Sequence, residues 1–293
     1  MRLREQARRK GKPLKFDLHL HTTASDGTDT PAELVSLAAG KGFGVVAITD
    51  HDTMRGVPEA QAAGRRLGVR VISGVEISAG GDTEVHVLGY AIREPEKLEK
   101  VLERMRTQRS QRMRQMVAKL NAIGVPVQLN QVTGLAHESV GRSHLARVLV
   151  EAGVVKDVRE AFHRYLAPGR PAYVEREKLT VSQTVALIDS AGGIPVIAHP
   201  GQNHGDSFWM KDRFAELKES GLKGIEAYHM AHSQQQAMAF ARMAKDLNLL
   251  VTGGSDYHGT IKAVGLGDGM QYWKTREADF ERFIKTIPES EGV

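Results

Sequence analysis

Histidines and carboxylates follow one another along this chain at points where short apolar stretches end. The first stretch, residues 16–20, alternates apolar residues with Asp17 and His19 and is followed by His21, a pattern typical of a β-strand. Because residues two apart on a strand point the same way, His19 and His21 can hold one metal ion together. Asp26 follows in a Ser-Asp-Gly turn that can fold back over them. Taken alone, such a pair is equally consistent with one structural and one surface histidine.

Further ionisable residues lie within or directly after the apolar stretches that we predict as later strands. They are His51, Glu76, His86, His199, Asp256 and His258. In barrels of alternating strands and helices, the C-terminal ends of the strands converge on one face, which would bring these residues to His19, His21 and Asp26. Nine clustered ionisable groups without a metal would carry a large desolvation and repulsion penalty. The sequence therefore predicts a multinuclear metal site.

Strand and helix signals alternate along the chain, which favours an α/β fold with a largely parallel sheet. Three helix starts are marked by a Thr or Ser cap followed three residues later by Glu or Gln. These pairs are Thr30 with Glu33, Thr180 with Gln183, and Ser233 with Gln236.

The composition limits the available chemistry. The 293 residues contain no cysteine, so disulfides and thiolate chemistry are excluded, and a metal has to be held by His and carboxylates. No apolar run approaches the ~20 residues that span a bilayer, and the N-terminus lacks the apolar core of a signal peptide. We therefore expect a cytoplasmic protein. Residues 1–13 carry six Lys or Arg and one Glu, which predicts a disordered basic arm that either contacts polyanions or has no function.

The segment between the predicted strand at 84–92 and the helix after Thr180 is too long for one crossover connection. Apolar spacing predicts one long helix over residues 94–121. The part of this helix from Arg104 to Lys119 has six basic residues and no acidic one. This run is consistent either with a solvated helix face or with binding of a polyanion.

Two motifs of this segment are candidates for substrate contact. In GRSHLAR, Arg142, Ser143 and His144 lie at the start of an apolar helix, where backbone N–H groups favour a phosphate. In APGRPAYV, a turn presents Arg170, and Tyr173 follows two residues after the turn's Pro171, available for stacking on a base.

Two histidines in the motif YHMAHS, His229 and His232, are predicted on the active face of the barrel. Either could hydrogen-bond a phosphate or transfer a proton, and a structural role is favoured for His229. His137, His163 and His204 are interpreted as surface residues without an assigned role, and Arg147 as a structural ion-pair partner.

The motifs DLHLHTTASDGT, AITDHDT, GVEIS, VHVLGY, IAHPG and GSDYH, in this order, resemble the successive motifs of the polymerase and histidinol phosphatase (PHP) superfamily. GRSHLARVLVEAG and YLAPGRPAYV resemble, more narrowly, its branch of 3′,5′-nucleoside bisphosphate phosphatases. That branch includes 5′-to-3′ exoribonucleases that trim ribosomal RNA. The resemblance implies a distorted seven-stranded (β/α)7 barrel with a mostly helical insertion. The barrel would comprise residues 14–93 and 170–285, and the substrate-binding insertion residues 94–169.

The resemblance also implies two to three divalent metal ions, usually manganese, although such ligands would accept iron, zinc or cobalt. One ion would be held by His19, His21, Glu76 and Asp256. Glu76 would bridge to a second ion held by His86 and His199, and a third would be held by Asp26, His51 and His258. We interpret Asp50 as orienting the imidazoles, and Asp52 as either a helix cap or a functional residue.

The expected reaction is phosphoester hydrolysis by a hydroxide that bridges two metal ions. The predicted catalytic residues are His19, His21, Glu76, Asp256 and His232, and the predicted substrate-binding residues are Arg142, Ser143, His144, Arg170, Tyr173 and His232. The expected substrates are 3′,5′-nucleoside bisphosphates, 5′-phosphorylated single-stranded RNA, or both. No membrane or obligate protein partner is expected.

Three alternatives remain at this stage. One is a small-metabolite phosphatase of the same superfamily, with a substrate such as histidinol phosphate. Another is a non-catalytic RNA-binding metalloprotein. The third is an amidohydrolase, which would leave the arginines of the insertion without a purpose.

Overall fold

Seven strands form one sheet in chain order in the computed structural model, which describes residues 15–80, 84–136, 138–202, 211–269 and 277–292. They are β1 (Lys15–Leu20), β2 (Phe43–Ile48), β3 (Arg70–Ala79), β4 (Val85–Tyr90), β5 (Ile194–Ile197), β6 (Gly224–His229) and β7 (Leu250–Gly254). The predicted basic arm at 1–13, His137 and His204 lie outside the described residues.

The sheet curls into a nearly closed barrel. Strands β1 to β3 are parallel, as are β5 to β7, whereas β4 runs antiparallel to both of its neighbours. The edges meet where the His21 N–H donates to the Tyr257 carbonyl and the Asp256 N–H donates to the His19 carbonyl, both at 3.0 Å. The predicted α/β barrel with seven strands is therefore confirmed, with β4 as the strand that breaks the parallel order.

The described residues include ten α-helices. They are α1 (Pro31–Gly40), α2 (Val57–Leu67), α3 (Pro95–Ala122), α4 (Leu129–Thr133), α5 (Arg142–Glu151), α6 (Val158–Ala161), α7 (Val181–Ser190), α8 (Lys211–Glu219), α9 (Gln234–Asp246) and α10 (Glu277–Ile284). The three predicted capping boxes are confirmed at the starts of α1, α7 and α9. Asp52 does not cap a helix, because the residue before α2 is Gly56.

Helix α3 connects two apolar clusters. Its first turns contribute Leu98, Leu102 and Met105 to the core of the barrel. Its second half contributes Met113 and Met116 to a separate cluster formed by residues between 113 and 174. The predicted insertion is therefore joined to the barrel by one continuous 28-residue helix, which fixes the orientation of the helix's side chains relative to the barrel. None of the helices in the described part of the chain is long and apolar enough to cross a membrane.

Closure of the barrel depends on a glycine in β7. A Cβ placed on Gly254 would overlap the Cβ and backbone nitrogen of His19 on β1. The glycine lets the two backbones approach closely enough to place His19 and Asp256 side by side.

We expect Gly254→Ala to lower the free energy of unfolding by roughly 3 kcal/mol, because the added methyl group forces the backbones of β1 and β7 apart. Thermal unfolding measures the effect. Gly40→Ala is the matched control, since a Cβ there meets nothing within 4 Å at the exposed end of α1, and it should be neutral or slightly stabilising. Equal unfolding free energies for the two variants would contradict this account.

Candidate active site

The structure brings all nine predicted ligand side chains together at one end of the barrel. In the first group, His19, His21, Glu76 and Asp256 each offer one ligand atom, and these four atoms all lie within 4.8 Å of one another. A second is His21, Asp26, His51 and His258, and a third is His51, Glu76 and His86. His199 joins through its Nε2, which lies 3.0 Å from a carboxylate oxygen of Glu76.

Glu76 of β3 lies at the centre of the cluster, and its side chain is 1% exposed. Its Oε2 lies 3.1–3.3 Å from ring nitrogens of three histidines, and its Oε1 lies 2.8 and 3.0 Å from those of two others. The first three are His19, His21 and His51, and the other two are His86 and His199. Burial would raise the pKa of Glu76, but His86, His19 and His51 outweigh it and hold that pKa well below its usual range. Glu76 is therefore a carboxylate placed to be shared between ligand groups.

Several nitrogen and oxygen atoms of the cluster that could bind a metal are buried and have no hydrogen-bond partner among the described residues. They are Nε2 of His19, Nε2 of His21, Oδ1 of Asp26, Nδ1 of His51 and Oε2 of Glu76. Buried polar atoms are normally satisfied, so a converging set of unsatisfied nitrogen and oxygen donors fits divalent metal ions. These donor types do not distinguish between manganese, iron, zinc and cobalt.

The buried carboxylate of Asp50, two residues after β2, fixes the turn that carries Asp26. Asp50 accepts hydrogen bonds from the Thr22 N–H and hydroxyl, both at 2.8 Å, and from the Ser25 hydroxyl at 2.6 Å. The same Ser25 hydroxyl lies 3.4 Å from Nδ1 of His21, so Asp50 reaches one imidazole through Ser25, and its orienting role stays a prediction.

Sequence analysis missed Glu226, which lies buried on β6. Its carboxylate oxygens lie 3.1 and 3.2 Å from Nδ1 of His19, and one of them accepts the His199 N–H at 2.8 Å. This contact turns the other ring nitrogen of His19 towards the cluster. The alternation in GIEAYH could have indicated an inward-facing glutamate, but its partner comes from a strand 207 positions away.

The two histidines of YHMAHS differ in their contacts. His232 lies with Nδ1 2.8 Å from the Ala227 carbonyl, and its Nε2 accepts the Gly201 N–H at 2.9 Å. Both of its ring nitrogens therefore bind the backbone, one in β6 and the other in the loop after β5. His229 accepts the Ala231 N–H with Nδ1, while its buried Nε2 lies 3.9 Å from Asp256. Burial lowers the pKa of His229 to about 3.

A cavity of about 210 Å³ opens beside the cluster. Its barrel side is lined by Asp26, His51, His86, His258 and Lys262, and its other side by Arg109, Arg112, Arg142, Ser143 and Arg176, with Glu84 between them. The cavity therefore joins the predicted metal ligands to a group of four arginines.

Helix α3 supplies two of these arginines from one face. Arg106, Arg109 and Arg112 recur every three residues and are all buried, because this face of the helix turns towards the barrel. Arg106 donates to the Asp52 carbonyl at 3.1 Å, and Arg109 donates to the Asp52 carboxylate at 2.6 Å. Of the two alternatives for the basic run, a solvated face is wrong for these three residues.

The arginine group carries more positive charge than its neighbours neutralise. Nε of Arg112, and Nε and Nη1 of Arg176, are buried without a hydrogen-bond partner among the described residues. Burial, together with Arg109 and Arg142, lowers the pKa of Arg112 to about 9. A bound anion would supply both the missing acceptors and the missing negative charge.

The fold places some of the predicted substrate-binding residues at the cavity and others away from it. Arg142 and Ser143 line the cavity, and Arg142 lies 5.8 Å from the centre of the Tyr173 ring. His144 is buried and accepts the Gly141 N–H at the start of α5. Arg170 is exposed and does not line the cavity.

Two residues of the cavity, Lys262 and Arg176, were not predicted from the sequence. Arg109 and Arg112 lay inside the predicted basic helix, but only the packing of that helix reveals their direction.

Asp52 joins the arginine group to the metal-ligand cluster. Its N–H donates to the Glu76 carbonyl at 2.9 Å, its Oδ1 accepts the Ser78 N–H, and its Oδ2 also lies 3.4 Å from Arg176. Its φ of 54° is rare for a residue other than glycine and persists only where the surroundings fix it. His199 and Asp256 share this property, with φ of 26° and 55°.

Comparisons with known proteins agree with this arrangement. The PHP domain family profile matches residues 17–167. A 5′-3′ exoribonuclease of Haemophilus influenzae is 34% identical, over 87% of this chain and 94% of its own. A 3′,5′-nucleoside bisphosphate phosphatase of Chromobacterium violaceum is 37% identical, over 83% of this chain and 87% of its own. A Chromobacterium violaceum structure described as an amidohydrolase with bound sulfate superposes with a TM-score of 0.80 at 36% identity, covering 90% of this chain and 96% of that one.

Asp52→Asn should lower the free energy of unfolding by about 3 kcal/mol, because it leaves the buried Arg109 and Arg176 without their carboxylate. Denaturant unfolding measures the loss. Asp189→Asn serves as the control, since Asp189 pairs with Lys223 where both are exposed, and the loss there should stay below about 1 kcal/mol. A small loss for Asp52→Asn would show that Asp52 does not hold the arginines in place.

Manganese, added as a probe to the metal-free protein, should raise Tm by several degrees, since each site filled at 100 times its Kd adds about 2.7 kcal/mol. Glu76→Gln should abolish most of this rise, because Glu76 belongs to two of the three groups and contacts His21 and His51 of the third. Glu216→Gln, on the exposed side of α8, should respond like the unaltered protein. An undiminished rise in the Glu76 variant would place the metal elsewhere.

Proposed function

The chain belongs to the PHP domain family, and from that membership we propose that it hydrolyses the 3′-phosphoester of 3′,5′-nucleoside bisphosphates. The observation that carries this proposal is the cavity in which an incompletely neutralised arginine group adjoins the cluster of nine predicted metal ligands. Such a cavity accepts a molecule with two phosphates, one at each end. The names of the relatives from Haemophilus and Chromobacterium support the same substrate chemistry.

We assign the metal ligands as the resemblance implied. His19, His21, Glu76 and Asp256 would hold one ion, Glu76, His86 and His199 a second, and Asp26, His51 and His258 a third. Manganese is the ion that we propose. Divalent ions at these ligands supply Lewis-acid chemistry, because they acidify water and stabilise negative charge on phosphate oxygens.

The arginine group would bind the phosphate that is not hydrolysed. Arg112 and Arg176 offer buried N–H donors without partners in the described residues, and Arg142 reaches the cavity from the start of α5. Asp52, 3.4 Å from Arg176, and Glu84, paired with Arg142 at 3.0 Å, hold two of these three side chains in place before substrate binds. Anchoring the 5′-phosphate there would present the 3′-phosphoester to the metal ligands.

The 5′ end of an RNA presents the same groups, a 5′-phosphate and a bond between a 3′-oxygen and phosphorus. One cavity could therefore also release 5′-mononucleotides from 5′-phosphorylated RNA, with ribosomal RNA as one such substrate. The basic run from Arg104 to Lys119 would suit the rest of an RNA chain only where it faces solvent, and Arg106, Arg109 and Arg112 in it face inward. Exposed Arg104 is paired with Glu177 at 3.0 Å. The bisphosphate is therefore our first choice.

The deciding assay compares adenosine 3′,5′-bisphosphate, a 5′-phosphorylated RNA oligonucleotide and its 5′-hydroxyl twin, each with manganese-loaded protein. Turnover of the bisphosphate alone would identify a nucleotide phosphatase. Comparable release of mononucleotides from the phosphorylated RNA, with none from its twin, would identify an exonuclease. Turnover of histidinol phosphate, hydrolysis of amides, or RNA binding without turnover would each favour one of the alternatives and contradict the proposal.

Arg112→Met should lower kcat/KM for the bisphosphate by about 10- to 100-fold, because a buried charge-assisted bond to phosphate is lost. Steady-state kinetics should show most of the effect in KM if the arginine binds the phosphate that is retained. Arg147→Met provides the control, since Arg147 pairs with Glu151 on the outer side of α5. Equal kinetics for the two variants would show that the 5′-phosphate binds elsewhere.

A further inference from the structure

A lysine on the barrel side of the cavity remains without a role in this scheme. Lys262 follows the short 3₁₀ turn Gly259–Ile261 that comes after β7, and it lines the cavity together with Ile261 and His258. It comes from the barrel's own loop, whereas the arginines come from α3, α5 and the segment before α7. The cavity therefore has a second source of positive charge, separate in the chain from the first.

The ammonium group of Lys262 is anchored at one point. Its Nζ donates to Oδ2 of Asp256 at 2.7 Å, while Oδ1 of the same carboxylate lies 3.2 Å from Nε2 of His21. Asp256 thus directs one oxygen to the predicted metal ligands and the other to the lysine. This arrangement places the ammonium next to the metal-ligand cluster without making it part of that cluster.

Donor groups remain on this ammonium. A lysine ammonium has three N–H donors, and Asp256 is the one hydrogen-bond and ion-pair partner found for Lys262 within the described ranges. Its side chain is 36% exposed, against 8% for Asp256, so the exposed part belongs to the lysine. Since Lys262 lines the cavity, its remaining donors are available to a ligand there.

The loop that carries Lys262 is held in place. The Thr260 N–H donates to the Thr28 hydroxyl at 3.0 Å, and the Thr28 N–H donates to the His258 carbonyl at 3.2 Å. Gly259 has a φ of 74°, and a Cβ there would overlap Thr28. The lysine is therefore tied to the turn that also carries Asp26, which limits the entropy lost when a ligand orders it.

We propose that Lys262 binds the phosphate that is hydrolysed, acting from the barrel side while the arginine group binds the other phosphate. The inference deepens the proposed function and rests on it for the identity of the substrate. A phosphate held at the metal ligands would meet Lys262 on the side of Asp256 that faces the cavity. The two ends of a bisphosphate would then be bound by cations from two different parts of the fold.

The test is calorimetric titration of inorganic phosphate, with and without manganese, into four proteins: the unaltered chain, Lys262→Met, Lys262→Arg and Lys245→Met. The difference between the two titrations isolates phosphate bound at the metal ligands from phosphate bound by the arginines. Lys245 is the matched control because its ammonium pairs with a largely buried carboxylate, Asp279, at 3.4 Å in another part of the fold. Bound manganese is measured in each protein.

Lys262→Met should weaken the manganese-dependent binding by about 10- to 100-fold, the range for a lost hydrogen bond between charged groups, with an unchanged manganese content. Lys262→Arg should restore most of the affinity, and Lys245→Met should lie within about twofold of the unaltered chain. Unchanged phosphate affinity in Lys262→Met, a loss explained by missing manganese, or no manganese-dependent binding in the unaltered chain would each overturn the proposal.

The phosphate-binding test of Lys262 can succeed or fail independently of the proposed function. Phosphate binding needs no turnover, so a chain that binds phosphate through Lys262 but hydrolyses neither the bisphosphate nor the RNA would retain this inference and lose the proposed substrates. With turnover, Lys262→Met should reduce kcat/KM for the bisphosphate by a similar factor. Lys262→Met should also leave the manganese-independent binding of phosphate to the arginines unchanged.

Discussion

A buried carboxylate surrounded by five imidazoles is the interaction on which the rest of this structure depends. Glu76 is almost wholly buried, and both of its oxygens are shared among histidines from β1, from the end of β2, from β4 and from the end of β5. Such a charge is tolerated in a protein interior only when cations neutralise it. The barrel therefore has to close tightly enough to bring these strand ends together, and Gly254 permits that closure.

The helical insertion is coupled to this centre through one residue. Asp52 follows the predicted metal ligand His51, donates its N–H to the Glu76 carbonyl and accepts hydrogen bonds from Arg106 and Arg109 of α3. An insertion could pack against a barrel in many orientations if apolar contacts alone held it. Directional bonds from buried arginines to one strained aspartate select a single orientation, and they place the arginine face of α3 beside the predicted metal ligands.

The charged groups of the cavity fall into two sets. Carboxylates, imidazoles and Lys262 form one set, and four arginines form the other. Two barrel carboxylates, Asp52 and Glu84, pair with the arginines, which leaves the four arginines with an excess of positive charge. An anionic ligand would balance this excess charge, which favours the proposed phosphoester substrate over an amide.

The sequence by itself determined the seven strands, the capped helices and the nine ionisable residues that the barrel brings together. Period-two and capping patterns are local, and most of the nine residues lie in a strand or within three residues of its end. The antiparallel placement of β4, the contact of Glu226 with His19 and the inward direction of Arg109 and Arg112 were decided only by the tertiary structure. Each depends on which residues distant in the chain become neighbours. A basic run has the same composition whether it faces solvent or a buried aspartate. The packing of α3 against the barrel decides which of the two its arginines face.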